Sequence, residues 1–311
     1  MRKNQYITDA ALFSAIYSLL FLASMYLPLI GTIIMFSLPV PFVIYSYRYD
    51  IKKFLLFFLV TGVLTVIFGT IINLPSVLLF GLMGLSIGYS YKKQETVIEM
   101  YMKTVVMTIM GLLSLLVLSN IMFQTNFVAD ITNIMKESTQ LVISTMESTG
   151  VEISVKQQES ITTLIEMFQQ LVPMMLVFVA GIFTLVTCYI TQGIAGRLGI
   201  KTVKIGKLRD FVLPKSVMWM YLIILLVNFI SIDPQTFLYT VILNLTMVFQ
   251  ILFVLQGCSF IAYFLHYKNK PRKYLVITMV LILFIPIVFP FIEFLGIIDL
   301  GFQLRKRLTL K

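Results

Sequence analysis

Apolar runs of 17 to 30 residues, separated by short charged clusters, fill most of the chain. One polar stretch, residues 124–170, interrupts them. The runs are continuous and do not alternate with period two, so they read as helices and not as strands of a barrel. About 20 apolar residues cross the roughly 30 Å hydrocarbon layer, where a lipid-exposed backbone must bond to itself. The pattern predicts an all-α, polytopic helical membrane bundle. Nine spans are expected, at 7–28, 31–47, 54–72, 74–91, 97–123, 171–194, 216–232, 236–265 and 273–296.

Two runs carry internal prolines. The second span holds "LPVP" (Leu38 to Pro41), which predicts a kinked helix, because proline removes one backbone bond and clashes with the preceding turn. The last run extends over 30 residues and contains Pro286, Pro290, Glu293 and Asp299. Either it crosses once, giving nine spans, or it breaks at the prolines and re-enters, giving eight spans plus a re-entrant C-terminal segment. The first alternative puts the basic tail Arg305 to Lys311 on the opposite side from the other basic loops. The second returns it to them.

Charge sets the orientation. Lys and Arg gather at 48–53, 92–93, 197–215 and 268–273, and under the nine-span reading these loops share one side with Arg2 and Lys3. The positive-inside rule makes that side the cytoplasm. The expected location is a bacterial plasma membrane with a cytoplasmic N-terminus. The formal net charge of +10 then follows from topology and calls for no nucleic acid. The chain is 59% hydrophobic and 12% charged, against about 25% charged in soluble domains.

Residues 124–170 hold six acidic residues against Lys136 and Lys156. Phe127, Ile131, Ile134, Met135, Leu141 and Val142 follow one helical face. Ile161, Leu164, Ile165 and Phe168 make a second, with Gly150 between as a stop. Two amphipathic helices forming an extracellular hairpin are expected. They cover each other, close over the outer mouth of the bundle, or meet a partner. The expected division is an N-terminal five-span bundle at 1–123, the hairpin at 124–170 and a C-terminal bundle of about four spans at 171–311.

Catalytic motifs are not found. The sequence has no nucleotide-binding loop and no metal-ligand spacing, and its single histidine, His266, ends a span, so no cofactor and no enzymatic role are expected. Cys188 and Cys258 lie inside apolar runs as small core residues. The informative groups are polar ones at membrane depth: Asn120, Asn228, Asn244, Gln250, Gln256 and Glu293. They either stitch helices together or line a ligand cavity. Small residues at four-residue spacing present a second signal: Ala11 and Ala15, Ser14 and Ser18, and Gly84 and Gly88. In lipid such faces let two backbones approach, either within the chain or against a separate membrane protein.

"ALFSA" (Ala11 to Ala15), the short proline-containing second span and "LFGLMGLSIGYSYKK" (Leu79 to Lys93) resemble the N-terminal part of the substrate-binding S components of energy-coupling-factor transporters. The resemblance covers about residues 7 to 93. It implies a small-molecule ligand and docking, through Ala11 and Ala15, to a membrane coupling protein served by cytoplasmic ATPases. The chain departs from S components in having about three more spans and the acidic insert. Over its whole length, including "LQGCSFIAYFL" (Leu255 to Leu265) and "LGIIDLGFQLRKR" (Leu295 to Arg307), it resembles the YybS-like family of bacterial multi-pass membrane proteins. The expected function is a transporter-type ligand-binding subunit without its own ATPase. The alternative is a membrane scaffold or regulatory subunit that docks a protein partner.

Overall fold

Hydrophobic spacing and proline placement account for where the helices start, stop and break. The computed structural model describes residues 5–124, 126–148, 154–230, 232–234, 236–271 and 273–309. Among them every regular element is helical. Seven helices are long and apolar enough to cross a membrane: Gln5–Tyr26, Ile30–Arg48, Ile51–Phe68, Ile71–Lys93, Val97–Met122, Val172–Arg197 and Phe237–Tyr267. Of the nine expected spans, those at 216–232 and 273–296 fall short of that length. The chain is an all-helical, multi-pass membrane protein, and lipid is the solvent for its many exposed Leu, Ile, Val and Phe side chains.

The contacts divide it into two compact units. The first takes the described residues up to Gln169 together with Met175–Ile205, and the second takes Gln170–Met174 and Gly206–Lys311.

In the first unit, α1 (Gln5–Tyr26) packs on α4 (Ile51–Phe68), and α3 (Pro39–Arg48) packs on α5 (Leu74–Lys93). The second expected span is not one kinked helix. It is α2 (Ile30–Met35) and α3, separated at Phe36–Leu38. The break precedes the prolines, so Pro39 falls in the first turn of α3, where its missing N–H costs no helical bond. The core is aromatic, with Tyr17, Phe42, Tyr45 and Phe57 fully buried. Gly84 and Gly88 supply the close approach between α5 and α3. A methyl group at Gly84 would overlap Phe42, and one at Gly88 would overlap Ser46 and the Val43 carbonyl. The small-residue face on α5 is therefore consumed inside the chain. Ser46 uses the proximity and donates to the Gly84 carbonyl at 3.0 Å.

Helices α6 (Val97–Phe123) and α9 (Val172–Arg197) join this unit through hydroxyls. Thr96 and Glu99 cap each other's backbone N–H at the start of α6, a reciprocal capping box. Ser86 bonds Thr104 at 2.9 Å, Thr108 bonds Thr184 at 2.9 Å, and Tyr101 donates to the Gly181 carbonyl at 3.0 Å. Cys188 and Cys258 are free and buried, as small core residues would be.

Helices α7 (Phe127–Ser148) and α8 (Val155–Gln170) occupy the acidic stretch, and Gly150 lies outside the described residues. Gln169 donates to the Thr132 hydroxyl at 3.0 Å, and Thr132 and Ile165 are buried. Ile131, Met135, Ile161 and Phe168 are half-buried. Phe127, Ile134, Leu141, Val142 and Leu164, all on the expected apolar faces, stay exposed.

In the second unit, α10 (Lys215–Val227) runs antiparallel to α11 (Phe237–Tyr267). The last apolar run is broken, as the re-entrant alternative requires. α12 (Lys273–Phe284) ends before a tight turn at Pro286, and α13 (Val288–Phe302) follows. At 1.5 Å per residue, α12 and α13 span about 18 and 22 Å, each less than the roughly 30 Å hydrocarbon core. Phe253 meets Gly296 and Gln256 meets Asp299, a constant offset of 43, so α11 and α13 lie parallel. Hence α12 leaves the end of the unit where α11 finishes, and α13 returns to it. The run therefore turns back within the unit, and a count of nine spans is not confirmed. Gly257 and Gly296 permit the α11–α13 contact, because a methyl at either would overlap a carbonyl oxygen of the other helix.

Replacing either of these glycines tests the packing. Gly257→Leu should destabilise the protein by about 1–3 kcal/mol through overpacking. Gly193→Leu, where nothing stands within 4 Å, should leave the same detergent unfolding curve within about 0.5 kcal/mol.

Candidate functional site: a polar seam in the C-terminal unit

Five of the six embedded polar residues singled out from sequence belong to the second unit, on α10, α11 and α13. Asn120 belongs to the first, exposed near the end of α6. The five occur at successive levels along α11.

At the end where α11 begins, Asn244 acts as a clamp. Its amide donates to the Gln170 and Thr240 carbonyls at 2.6 and 2.7 Å, and its oxygen accepts the Met174 N–H at 2.8 Å. Asn228, at the end of α10, donates to the Thr246 hydroxyl at 2.9 Å. Asn228 also lines a pocket of about 250 Å³ with Ile230, Ile232, Tyr239, Ile242 and Leu243.

Midway, Tyr221 of α10 is buried between Phe249 and Phe253, with ring centroids 5.8 and 5.1 Å away. Its hydroxyl donates to Glu293 Oε1 at 2.5 Å and is also within hydrogen-bond reach of Gln250. Gln250 and Glu293 thus meet at the Tyr221 hydroxyl.

Two turns further, Gln256 is fully buried. It donates to Asp299 Oδ2 at 2.6 Å and accepts the Leu213 N–H at 2.9 Å. Asp299, with a side chain 2% exposed, pairs with Arg305 Nε at 3.0 Å. The guanidinium also donates to the Arg209 and Phe211 carbonyls at 2.8 and 3.1 Å and to Ser259 Oγ at 3.0 Å. The Ser259 hydroxyl lies 2.6 Å from each of the Leu208 and Phe211 carbonyls. Arg305 reaches this position because Gln303 takes the left-handed conformation (φ 50°) and stops α13. The basic tail is thereby tied to the 206–213 loop. It does not occupy the opposite end of the unit, as a single crossing would require.

The residues that sequence reasoning missed are Tyr221, Ser259, Asp299 and Arg305. A signal for one of them, Asp299, was present. Gln250 and Gln256 are six apart on one helix, and Glu293 and Asp299 are six apart on the other.

The four small residues singled out on α1 do not share one face. Ser14 and Ser18 point into the first unit, where Ser14 bonds Thr61 at 3.1 Å and Ser18 donates to the Ser14 carbonyl at 2.9 Å. Ala11 and Ala15 are exposed. A groove of about 460 Å³ between α4 and α5 is lined by Phe58, Leu59, Gly62, Val63, Val66, Ile67, Leu74, Val77 and Leu78, with no charged or amide side chain among them.

The buried pair gives a direct prediction. Arg305→Gln leaves the Asp299 carboxylate buried without its cation and should lower stability by about 3–5 kcal/mol in detergent unfolding. Adding Asp299→Asn to that variant should recover part of the loss, because the stranded charge is then gone.

A family model described as "Predicted membrane protein (DUF2232)" matches residues 15–300. The Bacillus subtilis (strain 168) protein titled "Uncharacterized protein YybS" is 24% identical over 311 residues, covering 99% of each chain. No solved structure matches. The match spans most of the chain, and the chain belongs to the DUF2232 family of membrane proteins.

Proposed function

We propose that the protein is a transport-type membrane subunit, without an ATPase or catalysis of its own, that takes a small ligand along the seam of its C-terminal unit. One observation carries this reading. Polar side chains step along α11 from Asn244 through Gln250 and Gln256 to Ser259, on a helix that is mostly apolar, and the broken pair α12–α13 brings Glu293 and Asp299 to them. Interhelical hydrogen bonds in membranes average only about 0.6 kcal/mol, so stitching alone is weak cause for so many polar groups. Discontinuous helices are a recurrent device for placing ligand-binding groups at membrane depth.

In this proposal the N-terminus, the 197–215 loop and the basic tail are cytoplasmic, and α7–α8 lie outside the cell. A thermal-shift screen of the purified protein in detergent, with vitamins and metal ions, tests the reading. A true ligand at 100 times its Kd should stabilise by about 2.7 kcal/mol, and Gln250→Leu should weaken the effect. If the whole panel leaves the melting curve in place, the reading loses its support.

The second reading, a scaffold or regulatory subunit that docks a membrane protein, is favoured by the exposure of Ala11 and Ala15. If α1 is used as in the S components that its N-terminal part resembles, the partner is a coupling protein with cytoplasmic ATPases, which would also serve the transport reading. Ala11→Leu with Ala15→Leu should then abolish co-purification of a membrane partner. A complex that survives both changes contradicts docking through α1.

A further inference from the structure

We propose that the basic end of the second unit is a binding surface for the phosphate headgroups of anionic phospholipids. The inference stands apart from the ligand reading of the seam and does not require it.

Every described Lys and Arg of this unit lies at one end, in the 206–215 loop, at 268–273 or on α14 (Leu304–Thr309). The opposite end, at 227–240 and 284–288, carries Asp233 and no cation. Two acids share the basic end, and each already has a partner. Asp299 pairs with Arg305 at 3.0 Å and Asp210 with Arg209 at 3.6 Å. Lys207, Lys215, Lys268, Lys270, Lys273 and Arg307 are exposed and make no ion pair among the described residues. Like charges gathered in this way repel one another, and an anionic surface offsets that repulsion.

Where the cations are held distinguishes lipid from a soluble acidic partner. Lys268, Lys273 and Arg307 lie over the rings of Tyr267, Tyr274 and Phe302, at 5.8, 5.6 and 6.0 Å from the ring centroids. All three rings are exposed, as is Trp219 near the start of α10. Tyr and Trp gather at the level of lipid headgroups, between hydrocarbon and water. The rings therefore keep these cations at the rim of the apolar helices, at phosphate height, and not extended into the solvent where a soluble partner would meet them. α14 completes the rim. Its Leu304 and Leu308 are half-buried, its Lys306 and Arg307 are exposed, and Arg305 ties it to the 206–213 loop. Phosphodiester oxygens accept hydrogen bonds from ammonium and guanidinium groups, and these charge-assisted bonds are the strong ones.

Trp219 is the chain's single tryptophan and stands at this end, so its fluorescence reports on the lipid beside it. The full chain is reconstituted in vesicles of phosphatidylcholine with a minor share of phosphatidylglycerol, and the acyl chains of one lipid or the other carry bromine as quencher. Brominated phosphatidylglycerol should quench Trp219 as a lipid bound about fivefold more tightly than phosphatidylcholine, the effect of one cation near an anionic surface. Concentrated salt should erase the preference. So should Lys215→Gln, Lys268→Gln, Lys270→Gln, Lys273→Gln and Arg307→Gln combined, while the unfolding curve of that variant in neutral detergent stays in place. Equal quenching by the two lipids overturns the proposal and leaves the cations to a soluble partner. A preference that survives both the salt and the substitutions overturns it too. A preference abolished by inorganic phosphate, but not by chloride at the same ionic strength, assigns the cations to a soluble anion and also contradicts the lipid surface.

Discussion

The arrangement of the C-terminal unit depends on how Asp299 is kept charged away from water. A lone carboxylate there would cost several kcal/mol, and the chain supplies Arg305 from six residues further on. That guanidinium does more than neutralise. By donating to the Arg209 and Phe211 carbonyls it holds the tail against the 206–213 loop, so α13 must end at the same place where α10 begins. The return of the last apolar run is thus tied to one ion pair, and Pro286 provides the turn that makes the return sterically feasible.

Packing in lipid lacks a hydrophobic drive between helices, and the two units meet that problem with similar means. Gly84 and Gly88 let α3 and α5 touch in the first, and Gly257 and Gly296 do the same for α11 and α13 in the second. Hydroxyls and amides then join helices already close. Ser86, Thr104, Thr108 and Thr184 serve the first unit. Gln256 and Asn244 serve the second, each satisfying backbone groups that would otherwise be unpaired.

Much of the architecture was legible in the sequence. Run length and continuity gave the helices and their lipid environment, and helical spacing gave α7 and α8. The fate of the last run was not, because two opposite topologies share one hydropathy profile, and the tertiary contacts of α13 with α11 and of Arg305 with Asp299 separate them. The small residues of α1 were legible as a pattern but not as a direction. Spacing of four fits both Ala11–Ala15 and Ser14–Ser18, and it is the partner Thr61 on α4 that turns the serines inward. The seam was half visible for a similar reason. The amides stood out against their apolar neighbours, whereas Asp299 and Arg305 were read as features of a span end and a basic tail.

The most direct measurement is the sidedness of two introduced cysteines, at Lys207 in the loop and at Lys306 in the tail, with a membrane-impermeant thiol reagent. Native Cys188 and Cys258 are buried, so the introduced thiols dominate the signal. The account predicts that both positions are labelled from the same face of sealed vesicles and protected from the other. Labelling of the two positions from opposite faces would contradict the re-entrant run and the latch that Arg305 makes.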